Sequence, residues 1–270
     1  MTGAVQFVVL LQGVALFLWY ADGLPAAQSA LWLGVLATGL WAVGAALQGR
    51  LTLTEVLLIE AAALATATAA LGLVDLHRVF KPLALLIAII FVAARARPIR
   101  AMGRFDAYLL AGLVFSLVGD CLLMFSGYFI PGLLSFLVAH LFYIALFKQG
   151  QPWFPSRRAL VATLGVGALM YAVLFAGLTP ALRIAVAAYV LVIALMAAQA
   201  IGRATVLRDR ASVWVAIGAG FFMLSDALLA TNKFATPLPM AQLGVLSTYY
   251  IAQILIARFA RPAASARPVG

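Results

Sequence analysis

Long apolar runs, each closed by a short break, recur from one end of this chain to the other. Each run has roughly 17–25 residues, the length an α-helix needs to cross a hydrocarbon core about 30 Å thick. The pattern predicts ten helices, at residues 3–21, 30–48, 52–74, 80–95, 106–126, 131–148, 158–177, 180–201, 212–231 and 242–260. The breaks carry turn residues or charge, as at Gly23-Leu24-Pro25, residues 95–104, residues 150–155 and Thr179-Pro180. The fourth run is short for a span and requires tilt or local thinning of the bilayer. Asp75 and His77 fall in the break before it and read as a solvated loop. The first run is followed by Ala21-Asp22-Gly23-Leu24-Pro25, which faintly resembles a signal-peptide cleavage region. No Lys or Arg precedes it, so it is read as a spanning helix.

Composition agrees with this reading. Of the 270 residues, 66% are hydrophobic and 10% are charged, against about 45–50% and about 25% in soluble domains. No stretch between the runs is long enough to form a soluble domain, so the net charge of +10 is not a nucleic-acid surface. A single cysteine, Cys121, leaves no intrachain disulfide framework. The basic residues instead mark sidedness. Loops after even-numbered runs, with the C-terminal tail, hold fourteen of the eighteen; the other side has Arg78, Lys81, Arg183 and Lys233. Cytoplasmic loops concentrate Lys and Arg, so both termini are expected in the cytoplasm. A composition rich in Ala, Leu, Gly and Arg points to a bacterial inner membrane.

The fifth and ninth runs align at an aspartate. Gly112, Phe115, Gly119-Asp120 and Leu122-Leu123 match Gly218, Phe221, Ser225-Asp226 and Leu228-Leu229. The following runs echo each other, with Ala139-His140 over Ala252-Gln253. The expected fold is therefore an all-α polytopic transmembrane bundle of about ten helices. It comprises two N-terminal helices (residues 1–51), an eight-helix membrane domain (52–262) readable as two parallel four-helix repeats, and a short cytoplasmic tail (263–270). Two such halves meet at a site near mid-membrane.

Ionisable residues inside spans are costly and are functional candidates by default. Asp120 and Asp226 lead, and other polar side chains are expected at the same outer-leaflet depth: Lys81, His140, Tyr143, Tyr249, Tyr250, Gln253, Asn232 and Lys233. Each has a plainer reading. The aspartates could be structural, His140 a packing residue, the tyrosines interface aromatics, and the lysines snorkelling cations. Glu60 is a lone mid-span acid. Two His and one Cys make a thin zinc set, no metal or other cofactor is required, and no nucleophile elbow or phosphate-binding loop occurs.

The chain resembles the YhhN-like/TMEM86 membrane proteins. The resemblance rests on Phe80-Lys81-Pro82-Leu83, Ala111-Gly112 through Gly119-Asp120, His140 to Tyr143, Ser225-Asp226 through Asn232-Lys233-Phe234, and Thr248-Tyr249-Tyr250 to Gln253. It covers about residues 52–260 and leaves the first two helices as an addition. It implies a lysoplasmalogenase, which hydrolyses the vinyl ether of a lysophospholipid to a fatty aldehyde and a glycerophospho-alcohol. On this reading Asp120 and Asp226 form the acid/base pair, with His140, Tyr143, Tyr249 and Tyr250 orienting water or tuning the acids. Lys81, Asn232 and Lys233, with Ser225 and Gln253, hold the lipid, whose chain runs down between apolar helices. Proton-coupled transport, a metal-dependent lipid hydrolase and a non-catalytic scaffold are the alternatives.

Overall fold

The computed structural model describes residues 26–96 and 102–262, so the run predicted at 3–21 and the tail lie outside the described residues. Among the described residues there are nine α-helices and no strand. They are α1 (Ala26–Leu47), α2 (Leu53–Ala70), α3 (Val74–Arg95), α4 (Arg104–Leu123), α5 (Phe129–Lys148), α6 (Arg157–Leu174), α7 (Pro180–Leu207), α8 (Arg210–Ala230) and α9 (Ala241–Phe259). A 3₁₀ turn, Phe175–Gly177, follows α6, and a π turn, Thr231–Ala235, extends α8. Eight of the nine are long and apolar enough to span a membrane. The ninth, α9, carries Gln242, Tyr249, Tyr250 and Gln253, which lower its hydropathy.

Two boundaries differ from the sequence reading by six residues, and the rest by four or fewer. Helix α3 begins at Val74, so Asp75 and His77 lie in its first turn and not in a loop, and the span is 22 residues long. Polar residues in an exposed first helical turn look like a loop in sequence. Helix α7 runs 28 residues to Leu207. Arg203, read from sequence as a loop cation, is therefore within it and buried. Its guanidinium donates to the carbonyls of Phe147, Gln149 and Arg261 at 3.3, 2.6 and 3.1 Å.

Seven helices form a closed ring. Helix α2 packs on α3, α3 on α4, α4 on α5, α5 on α7, α7 on α8, α8 on α9, and α9 returns to α2. Helix α1 lies outside against α2, and α6 lies outside against α7. In lipid the apolar effect does not distinguish helix surface from bilayer, so close packing through small residues must supply the contact. At the α4–α5 seam, a methyl group on Gly112 would collide with the Tyr143 ring, and one on Gly119 would come within 2.6 Å of the Phe136 ring. The ring is latched between α2 and α9. Thr52 and Glu55 form a capping box, and the free oxygen of Glu55 meets Arg258 at 3.0 Å. Glu60 faces α1, where a methyl on Gly39 would collide with its carboxylate.

Candidate active site

The C-terminal half of α4 carries Asp120, which is 2% exposed. Tyr249 of α9 donates to its Oδ2 at 2.7 Å. The Nζ of Lys81, on α3, lies 3.4 Å from its Oδ1. One turn along α9, Gln253 Nε2 donates to the Tyr249 oxygen at 3.2 Å, and Gln253 Oε1 accepts from Tyr143 of α5 at 2.9 Å. A buried relay of donors thus runs Tyr143, Gln253, Tyr249, Asp120, with Lys81 closing it from the other side. Tyr250 completes the arrangement by donating to the Lys81 carbonyl at 3.3 Å. Hydrogen bonds to an ionised acceptor are the strong kind, and a low-dielectric setting strengthens the chain further.

Asp226, on α8, has different company. Its Oδ2 accepts from Tyr189 of α7, and among the described residues no cation pairs with it. Sequence reading missed Tyr189. It is the one polar side chain in the first half of the apolar helix α7 apart from Arg183 at its end, a signal that was available. His140 is fully buried and stands behind this pair. Its ring packs edge-on against Phe222 at 4.7 Å and Tyr189 at 5.3 Å, and among the described residues neither ring nitrogen has a partner.

Both aspartates line one polar cavity of about 600 Å³. Of the residues expected there, Lys81, Ser225, Asn232, Lys233 and Tyr249 also line it. Tyr143, Tyr250, Gln253 and His140 do not line it; they stand behind it as support. Ser225 donates to the Val245 carbonyl at 2.9 Å, fastening α8 to α9. Asn232 Oδ1 accepts from the Leu238 amide at 2.9 Å and pins the turn before α9. Lys81 does not open its helix near the surface as expected. It lies two turns inside α3, 7% exposed, and is committed to Asp120.

The cations at the mouth are Lys233 and Arg78, the latter unforeseen. Each lies over a phenylalanine at the turn into α5: Arg78 is 5.7 Å from the Phe125 ring centre and Lys233 is 4.7 Å from that of Phe129. His77 also lines the cavity, and its Nδ1 lies 3.0 Å from the Ala65 carbonyl.

A second cavity of about 500 Å³ runs over α7 between α6 and α8, and its walls are almost wholly apolar. It meets the polar cavity at Asp226, Phe136, Phe129, Leu123 and Leu229. Asp226 therefore faces both, and Asp120 only the polar one. Among the described residues no three His, Cys, Asp or Glu side chains gather.

The YhhN family matches residues 76–260, a stretch that includes both aspartates and the tyrosines and lysine bonded to them. The chain is 40% identical over 154 residues to lysoplasmalogenase TMEM86A of Homo sapiens, across 54% of this chain and 62% of that protein. It is 37% identical over 161 residues to lysoplasmalogenase TMEM86B of Sus scrofa, across 59% and 66%, and 36% identical over 154 residues to TMEM86B of Homo sapiens, across 57% and 63%. The match thus spans just under two thirds of each relative's length. No solved structure matches the chain.

Proposed function

This chain belongs to the YhhN family, and from that membership and the paired aspartates we propose that it hydrolyses the 1-alkenyl ether bond of lysoplasmalogens within the membrane. The observation that carries the reading is the placement of Asp226 where the polar and apolar cavities meet, with Asp120 on the polar side. A vinyl ether is divided the same way. Its β-carbon lies on the side of the hydrocarbon chain, and its oxygen on the side of the glycerol head.

The chemistry follows that division. Asp226, with a phenol donor and no paired cation, carries the proton. It delivers this to the β-carbon, converting the vinyl ether to an oxocarbenium ion. Asp120, held by Lys81 and Tyr249, is the carboxylate. It stabilises the cation and takes a proton from the water that attacks it, which gives a hemiacetal. Asp120 then returns that proton to the departing glycerol oxygen while Asp226 takes the hemiacetal hydroxyl proton. The products are an aldehyde and an alcohol, and both acids end as they began. Two carboxyl groups divide this labour in glycosidases, whose transition state is a comparable cation. The head-group phosphate sits at the mouth against Arg78 and Lys233, in place of the buried Lys81.

The relatives carry the name of a hydrolase, which favours cleavage over the transport reading raised by the repeat. The basic residues on the opposite face of the bundle favour a mouth on the non-cytoplasmic side.

The test uses purified protein and a synthetic 1-alkenyl lysophospholipid, with the acyl-linked lipid as control. Aldehyde is expected from the vinyl ether alone. Asp120→Asn and Asp226→Asn are each expected to lower kcat by about 10²–10⁴-fold. Undiminished aldehyde release from both variants would end the assignment.

A further inference from the structure

The apolar cavity owes its existence to a break in the repeat. Helices α6 and α8 each pack on α7 but stand apart from one another, leaving a slot floored by α7. In the first half the matching helix, α2, instead closes against α9.

The slot has two different ends. At the Asp226 end, the π turn lies over α6 and the 3₁₀ turn. The Phe234 carbonyl presses so closely on Gly177 that a methyl group there would collide with it. From Tyr189 the slot follows α7 to Ile201, twelve residues or about 18 Å at 1.5 Å per residue. Its only polar side chains are Asp226 and Tyr189 at one end and Thr163 at the other, and Thr163 spends its hydroxyl on the Ala159 carbonyl at 3.0 Å. The last residues to line its two side walls, counted away from Asp226, are Ala162 of α6 and Gly220 of α8, and Gly220 lies six residues or about 9 Å along α8 from Asp226. A side chain at Gly220 would meet nothing within 4 Å. Val166 and Leu169 along the α6 wall are exposed, so the slot is open sideways to the bilayer.

We propose that this slot holds the hydrocarbon chain of the lipid substrate, and that Ala162 and Gly220 set the longest chain it accepts. The proposal rests on the hydrolase reading for its substrate. Continuity with Asp226 commits the slot to that occupant: a chain lying in it with its first carbons at Asp226 brings the alkenyl group to the acid and extends toward Gly220. Two small residues at the limit of the side walls leave a long chain room to continue along α7 toward Ile201. At Gly220 an added Cβ meets no packed group, so a larger side chain there starts in open space.

Two measurements test this. In the first, Gly220→Leu and Ala162→Phe are assayed on octenyl and octadecenyl lysophospholipids with the same head group. Turnover of the octadecenyl lipid is expected to fall at least about tenfold relative to the octenyl lipid, whose chain stops short of Gly220. Equal change on both lipids, or no change on either, overturns the proposal.

The second measurement uses wild-type protein and a non-hydrolysable 1-alkyl lysophospholipid with a photoreactive diazirine at its chain terminus. Labelling near Ala162 and Gly220 supports the slot, and labelling on the outer surface of α1 to α3 overturns it. Labelling in the slot without aldehyde release from any vinyl ether would leave the slot standing and remove the hydrolase reading instead.

Discussion

Tyr189 donates to Asp226 as Tyr249 donates to Asp120, yet only Asp120 also meets a lysine. On the proposed reading this difference separates proton donor from carboxylate, and it makes the Tyr189 hydroxyl the group whose removal touches the acid alone. Tyr189→Phe keeps the ring against His140 and deletes one donor to a buried acid. Its expected effect is a fall in kcat of about 10–100-fold with KM unchanged, measured by aldehyde release. Much at this scale was legible in the sequence. Asp120, Asp226, Lys81, Tyr249 and Gln253 stand out because a polar side chain within an apolar run has few uses that are not functional. Tyr189 carries a weaker signal, because a lone phenol in an apolar run also reads as an interface aromatic. His77 reads as a loop residue and Arg78 only as one of the few basic residues on that side, because a polar first helical turn is indistinguishable from a loop until its hydrogen bonds are seen.

At the scale of elements, periodicity located the described helices, and the errors fell at their ends. Apolar length fixes the part of a helix inside the bilayer and says nothing of polar turns that continue it. Helix α7 illustrates the cost and the remedy. Its last turns extend past the apolar run, and Arg203 there satisfies three carbonyls from two neighbouring segments. Arg203→Met is expected to destabilise the protein by about 3–5 kcal/mol, because buried carbonyls lose a charged donor. Thermal unfolding in detergent would register this. Turnover per folded molecule should hold, since Arg203 lies at the opposite end of the bundle from the aspartates.

For the molecule as a whole, α4 and α8 carry aspartates in a shared sequence pattern, and the packing around them gives the two unlike surroundings. Helix α2 closes the ring against α9, while its counterpart α6 stands outside it. No sequence pattern announced this, because both helices are apolar runs of span length and only their neighbours tell them apart. Among the described residues helix α1 packs chiefly on α2, outside the ring, so the ring should survive its loss. Deleting residues 1–47 would present Glu60 to lipid. The truncated chain is expected to retain aldehyde release at lower thermal stability, and Glu60→Leu should recover part of that stability in the truncated chain but not in the full one. The sideways opening of the slot has a consequence for what leaves the protein. A cavity open along its flank empties in the plane of the membrane, and one with a charged mouth at the helix ends empties into water. If the proposed cleavage takes place here, the event sorts its own fragments: the oily half diffuses into the leaflet, the charged half is lost to the aqueous side, and their separation opposes re-joining without any further machinery.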